Sequence, residues 1–183
     1  MCGLSFYVSE DEFSKELEQS LCAIRHRGPD SLGILNEKVG NFYVGLGHNR
    51  LSVMDLSEAG IQPMESKCKY VSIVFNGEIY NFKELRQSLE LLGYVFYSTS
   101  DTEVILNLYL EYQDKAFQML RGMFVICILD RKSKKFHLVR DVVGVKPVYI
   151  HNNKGIVGSS EIRGVKAFNY VDTELCRNDI YDY

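Results

Sequence analysis

No C-x-x-C pair, no block of basic residues and no apolar run approaching ~20 residues occurs in this 183-residue chain. The five cysteines (Cys2, Cys22, Cys68, Cys127, Cys176) are widely spaced, and the four histidines lack ligand spacing, so no metal site is expected. An odd cysteine count without pairing motifs fits a reducing, cytoplasmic location. With a net charge of −3 and no basic patch, neither nucleic acid nor a membrane surface is an expected partner. The missing long apolar run leaves nothing to span a membrane as a helix. A secretory leader is also not expected, because Glu10, Asp11 and Glu12 interrupt the N-terminus before any apolar stretch builds.

What remains is ordinary for one soluble globular domain with a sizeable core: 46% hydrophobic and 25% charged residues. Residues 4–8 read as a strand. Ser9 with Glu12 predicts a capping box, and Phe13, Leu17, Leu21 and Ile24 place one apolar face on the helix that follows. Arg25-His26-Arg27-Gly28-Pro29-Asp30 ends that helix and by composition is a charged turn. Strands are expected at 31–36 and 42–48, and the second runs into Arg50. Taken alone, Arg50 is either a solvated surface arginine or, at a strand end, a two-pronged ligand for a carboxylate.

A strand at 71–75 ends in Asn76-Gly77-Glu78 and is followed by a helix with Leu85, Leu89 and Leu92 on one side and Asn81 and Glu84 as a capping box. An Asn amide beside a glycine N–H is a candidate oxyanion hole, where a plain Asn-Gly turn would instead join two strands. A strand at 94–97 comes next, then a helix capped by Ser100 and Glu103, whose Asp101 is explained on local grounds by the helix dipole. The rest is β-rich, with strands at 123–129, 135–139, 148–151 and 155–158 and a short helix at 160–167. Cys22 and Cys127, among apolar neighbours, are expected in the core, and Cys68 and Cys176 are incidental. The pattern is α+β, two sheets with helices outside.

The remaining feature is Met1-Cys2-Gly3. A cysteine in second place becomes the first residue when the initiator methionine is removed, and then carries a thiol and a free α-amine together, a nucleophile with its own base. Met1-Cys2-Gly3, RHRGPD, GHNRLSVMDLS, FNGEIYN, SDTEVIL, RGMFVICILD, RDVVGVKPVYI and SSEI, in this order and spacing, resemble the glutaminase domain of class II glutamine amidotransferases, in the asparagine synthetase branch. The resemblance covers residues 1–167 and implies the four-layer α-β-β-α sandwich of the N-terminal-nucleophile hydrolases, two mainly antiparallel sheets, with residues 1–183 as one glutaminase domain.

For matching positions the resemblance implies roles. Cys2 would be the nucleophile, Asn76 and Gly77 the oxyanion hole, and Arg50 the ligand of the glutamine α-carboxylate. Glu78 and Asp101 would take the α-amino group, Leu51 and Val53 would line the pocket through their backbones, and RHRGPD would be a glutamine-covering loop. Glutamine would be the substrate, with no cofactor in this domain. The ammonia would pass to an ATP- and magnesium-dependent synthetase domain, in cis or as a partner subunit, most simply to make asparagine from aspartate. No glycine-rich phosphate loop occurs in the 183 residues, so that domain is expected beyond them, with 178–183 as the start of a helix. Sugar or peptide acceptors, a catalytically silent glutamine- or partner-binding domain, and a homodimer all stay open.

Overall fold

The apolar stretch after Cys2 becomes the middle strand of a sheet in the computed structural model, which describes residues 2–52 and 58–172. Met1, Val53, Cys176 and the expected helix start at 178–183 lie outside the described residues. The first half of the chain contributes β1 (Gly3–Ser9), α1 (Ser14–Ala23), β2 (Ser31–Val39), β3 (Phe42–Arg50), β4 (Met64–Glu65), β5 (Val71–Ile79) and α2 (Phe82–Leu91). The second half contributes α3 (Asp101–Tyr112), α4 (Ala116–Met119), β6 (Gly122–Asp130), β7 (Lys135–Arg140), β8 (Tyr149–Asn152), β9 (Ile156–Ser159) and α5 (Ile162–Val165). One sheet has the order β2-β3-β1-β9-β8 and the other β4-β5-β6-β7, and every pairing is antiparallel.

Three apolar clusters mark the three interfaces of a four-layer α-β-β-α sandwich. Between the sheets lie Leu4, Phe6, Val44, Leu46, Val74 and Cys127. Tyr7, Leu17, Leu21 and Val165 join the first sheet to α1 and α5. Ile73, Ile126, Leu89 and Val104 join the second sheet to α2 and α3. The strand period of two sorts these sets: on β1, Leu4 and Phe6 face the other sheet while Tyr7 faces the helices. Ser5 also faces α1, and its hydroxyl is satisfied by Ser20 and Ser159 at 2.8 and 2.9 Å.

Several local expectations are corrected. The strand expected to stop at Phe75 runs on to Ile79, so Asn76-Gly77-Glu78 lies within β5, paired with β6. Residues 94–97 form no strand; the backbone N–H groups of Tyr97 and Ser98 bind the buried Glu103 carboxylate. That leaves the capping box at Ser100 half-formed, with only the Ser100 hydroxyl accepting from Thr102 N. The other two boxes do not form. Ser9 donates to the Lys154 carbonyl, and the Asn81 amide bonds Met119 and Arg121. Cys22 is exposed because it follows Leu21 by one residue, about 100° around α1 from the buried face. Leu92, the residue just past the end of α2, is exposed rather than part of its buried face.

Candidate active site

Even-numbered residues of β1, β3 and β5 point into the space between the sheets, and at one end of that space their chemistry changes. Leu4 gives way to Cys2, Leu46 to His48 and Arg50, and Val74 to Asn76 and Glu78. A cavity of about 320 Å³ opens there. It brings together Cys2, Arg50, Leu51, Asn76, Gly77, Glu78 and Asp101, every sequence-predicted site residue that the structure describes. The expectation for Val53 falls outside the described residues.

Cys2 precedes the first residue of β1 and is held on both sides. Its thiol donates to the Leu51 carbonyl at 3.6 Å, and its sulfur accepts from the Leu51 N–H at 3.4 Å. Its own carbonyl accepts from Arg27 Nε at 3.0 Å, and Glu161 steadies that guanidinium at 3.2 Å. RHRGPD is therefore more than a charged turn. Its arginine reaches the backbone of Cys2, and its Asp30 binds the Arg50 carbonyl through its N–H and the Ser52 N–H through its carboxylate.

Arg50 is buried in the cavity wall rather than solvated. Asn76 is 2% exposed, and its Nδ2 has no hydrogen-bond partner among the described residues, although a buried amide donor ordinarily has one. Gly77 is required by space: a Cβ there would strike the Met123 carbonyl and the Phe124 backbone of β6. Asp101, at the first turn of α3, also reaches beyond its own helix and accepts the Ile79 N–H of β5 at 3.1 Å. Burial pushes its carboxyl up to about 6, and the negative Glu78 nearby adds to this against the backbone hydrogen bonds it accepts.

Among the lining residues to which sequence reasoning gave no role are His48, Gln62, Thr102 and Lys146. His48 was findable, since it shares the inward face of β3 with Arg50 two positions on. Among the described residues neither of its ring nitrogens makes a geometrically good hydrogen bond, and burial lowers its pKa to about 4 against a backbone contact with Phe75, so the imidazole is neutral at physiological pH. Thr102 adjoins Asp101 and Lys146 lies in RDVVGVKPVYI, but neither was given a role, and Gln62 lies outside the motifs that resemble the family. The cavity thus sets a thiol and an unpartnered amide donor among two cationic and two anionic side chains. Such a site can bind a small zwitterion and carry out acyl transfer on it.

The profile of the glutamine amidotransferase domain matches residues 1–183. Asparagine synthetase [glutamine-hydrolyzing] 1 of Bacillus subtilis is 41% identical over 81% of this chain, which spans 24% of that protein. Asparagine synthetase [glutamine-hydrolyzing] 3 of the same organism is 36% identical over 98% of this chain, which spans 30% of it. The fold is shared with the glutamine phosphoribosylpyrophosphate amidotransferase from B. subtilis, at a TM-score of 0.76 and 18% identity over 91% of this chain and 43% of that one. With a family profile matched from end to end and the two-sheet architecture of a known amidotransferase, the chain belongs to the glutamine amidotransferase domain family.

Proposed function

We propose that this domain hydrolyses glutamine to glutamate and ammonia through a thioester on Cys2. One observation carries the reading: a buried amide donor without a partner among the described residues, Asn76 Nδ2, shares a cavity with the Cys2 thiol. An unsatisfied buried donor costs stability unless a ligand or a reaction uses it. Glutamine supplies the acceptor. Its α-carboxylate pairs with Arg50, its α-ammonium with Asp101 and Glu78, and its side-chain amide then reaches toward Cys2.

With Met1 removed, the freed α-amine of Cys2 has an ordinary pKa of about 7.7, so a substantial fraction is neutral near pH 7 and takes the thiol proton. The sulfur attacks the amide carbon, and charge gathers on the carbonyl oxygen. The Asn76 amide and Gly77 N–H receive it, each such donor contributing roughly 3 kcal/mol to the transition state. The C–N bond breaks, the amine returns its proton, and ammonia leaves. Water then cleaves the thioester. RHRGPD would cover bound glutamine, steadied by the Arg27 contact to Cys2. No cofactor is needed for this half-reaction.

The ammonia would serve a synthetase portion that uses ATP and magnesium. The two B. subtilis relatives bear the name of such an enzyme, and this chain spans less than a third of either, so aspartate is the first acceptor to test. Ammonia release from glutamine by the wild type, set beside Cys2→Ala, tests the reading. A Cys2→Ala protein that still releases ammonia sinks it, as does a wild type that is active with Met1 retained by intact mass.

A further inference from the structure

β4 pairs only with Ile73 and Ser72, so past Ile73 the edge of β5 that faces away from β6 meets no strand among the described residues. By the strand period, the N–H groups of Phe75, Gly77 and Ile79 point out of that same edge. Two are bonded to side chains: Phe75 N to Gln62 Oε1 at 2.6 Å, and Ile79 N to Asp101 Oδ2 at 3.1 Å. Between them the Gly77 N–H faces the cavity.

We propose that Gln62 is a positioning residue for the oxyanion donors, an inference that rests on the glutaminase reading above. Its carboxamide is buried and lines the cavity wall. The amide orientation follows from chemistry: a backbone N–H can only donate, so the Gln62 oxygen faces Phe75, and its Nε2 donates to Thr102 Oγ1 at 3.1 Å. Phe75 immediately precedes Asn76, and Thr102 immediately follows Asp101. One buried amide therefore spans the two walls of the pocket, the strand that carries the oxyanion donors and the helix that carries the ammonium ligand.

The backbone of Gln62 is itself fixed from the opposite sheet. It passes against Gly33 of β2 so closely that a Cβ at 33 would strike the Gln62 carbonyl. Gln62 thus sits where both sheets and α3 meet. With the amide gone, Phe75 N–H is left buried and unpaired, and the strand edge shifts to find water or another acceptor. Asn76 and Gly77 move with it, and donors held a fraction of an ångström off a developing oxyanion lose most of their effect.

The test compares Gln62→Met, which keeps length and loses both bonds, with Gln62→Glu, which keeps an acceptor for Phe75 N–H. It also includes Thr102→Val, which removes one end only. Each whole protein is assayed for glutaminase kcat and KM and for melting temperature. Glutamine Kd is measured in the Cys2→Ala background. Gln62→Met is expected to lower kcat roughly tenfold to a hundredfold with KM and Kd nearly unchanged, Gln62→Glu to recover most of that loss, and Thr102→Val to lower kcat by a smaller factor. A fall in melting temperature with kcat unchanged makes Gln62 a structural brace and overturns the proposal, as does a rise in KM alone. Should Gln62→Met fail to fold, unchanged kcat in both Gln62→Glu and Thr102→Val overturns it equally. Ammonia release by Cys2→Ala alone would instead mark failure of the glutaminase reading, under which Gln62 has no reaction to position.

Discussion

Cys2 and Cys127 both face the space between the two sheets, Cys2 at its polar end and Cys127 in its apolar middle. Cys127 pairs with Val74 in the apolar middle, fully buried, and burial pushes its thiol far above the ordinary cysteine range. Cys2 lies at the end where the lining turns polar, half-buried, with the Leu51 N–H on its sulfur and an unpartnered amide donor in the same cavity. A thiolate needs donors and nearby charge, and a dry apolar core supplies neither. On the proposed mechanism, what separates the two cysteines is position along the interface rather than residue type.

The largest effect expected is on Cys2 itself. Cys2→Ala should abolish ammonia release from glutamine with the fold retained by circular dichroism, and iodoacetamide on the folded wild type should label Cys2 and leave Cys127 unlabelled by peptide mass mapping. Labelling of Cys127 at the same rate would erase the contrast. Next, Asn76→Ala should lower kcat about 10²–10³-fold with little change in KM, because the donor acts on charge that exists only in the transition state.

A smaller effect is expected at Asp101. Asp101→Asn should raise KM about tenfold and lower kcat less, as befits a contact to the substrate ammonium. In the wild type, KM should rise as pH falls through about 6, where the unliganded Asp101 takes up a proton. The stability sign runs the other way. The folded protein holds this proton more tightly than the unfolded chain, whose carboxyl titrates near 3.8, so protonation between about 6 and 4 favours the fold. Asp101→Asn should therefore melt higher than wild type at pH 7, with the gap closing toward pH 4. Least of all, Cys127→Ala should leave kcat and KM unchanged and cost roughly 1 kcal/mol in denaturant unfolding. A loss of activity there would show that the packed middle of the interface sets the geometry of its end.

The elements that were legible in the sequence are those whose partners are the strand or helix period itself. The apolar face of α1 and the strands around β1, β3, β5 and β6 were readable because alternation states which side is buried. The polar caps were not. Ser9, Asn81 and Glu103 each have the spacing of a helix cap, but Ser9 closes β1 and α1 begins only at Ser14, while Asn81 and Glu103 do sit at helix starts. Each spends its side chain on a segment outside the helix it was expected to cap: Lys154, Met119 with Arg121, and Tyr97 with Ser98. Local spacing states what a side chain can reach, and packing decides what else competes for it.

The site divides the same way. Cys2, Arg50, Asn76-Gly77, Glu78 and Asp101 were found in the sequence because their motifs resemble a family. Strand periodicity explains why His48 and Arg50, or Asn76 and Glu78, share a face. Gln62 lay outside those motifs, and Lys146, though within RDVVGVKPVYI, was given no role, since each reaches the cavity from a loop whose course depends on contacts elsewhere. Lys146 is held there by the Asp141 carboxylate and the Arg140 guanidinium, both bonded to its backbone. By itself the sequence determined the kinds of group available and their alternation along each strand, since both follow from covalent order. Only the tertiary structure decided that Gln62 would join β5 to α3, because that contact exists only once two sheets and a helix have closed on the same point.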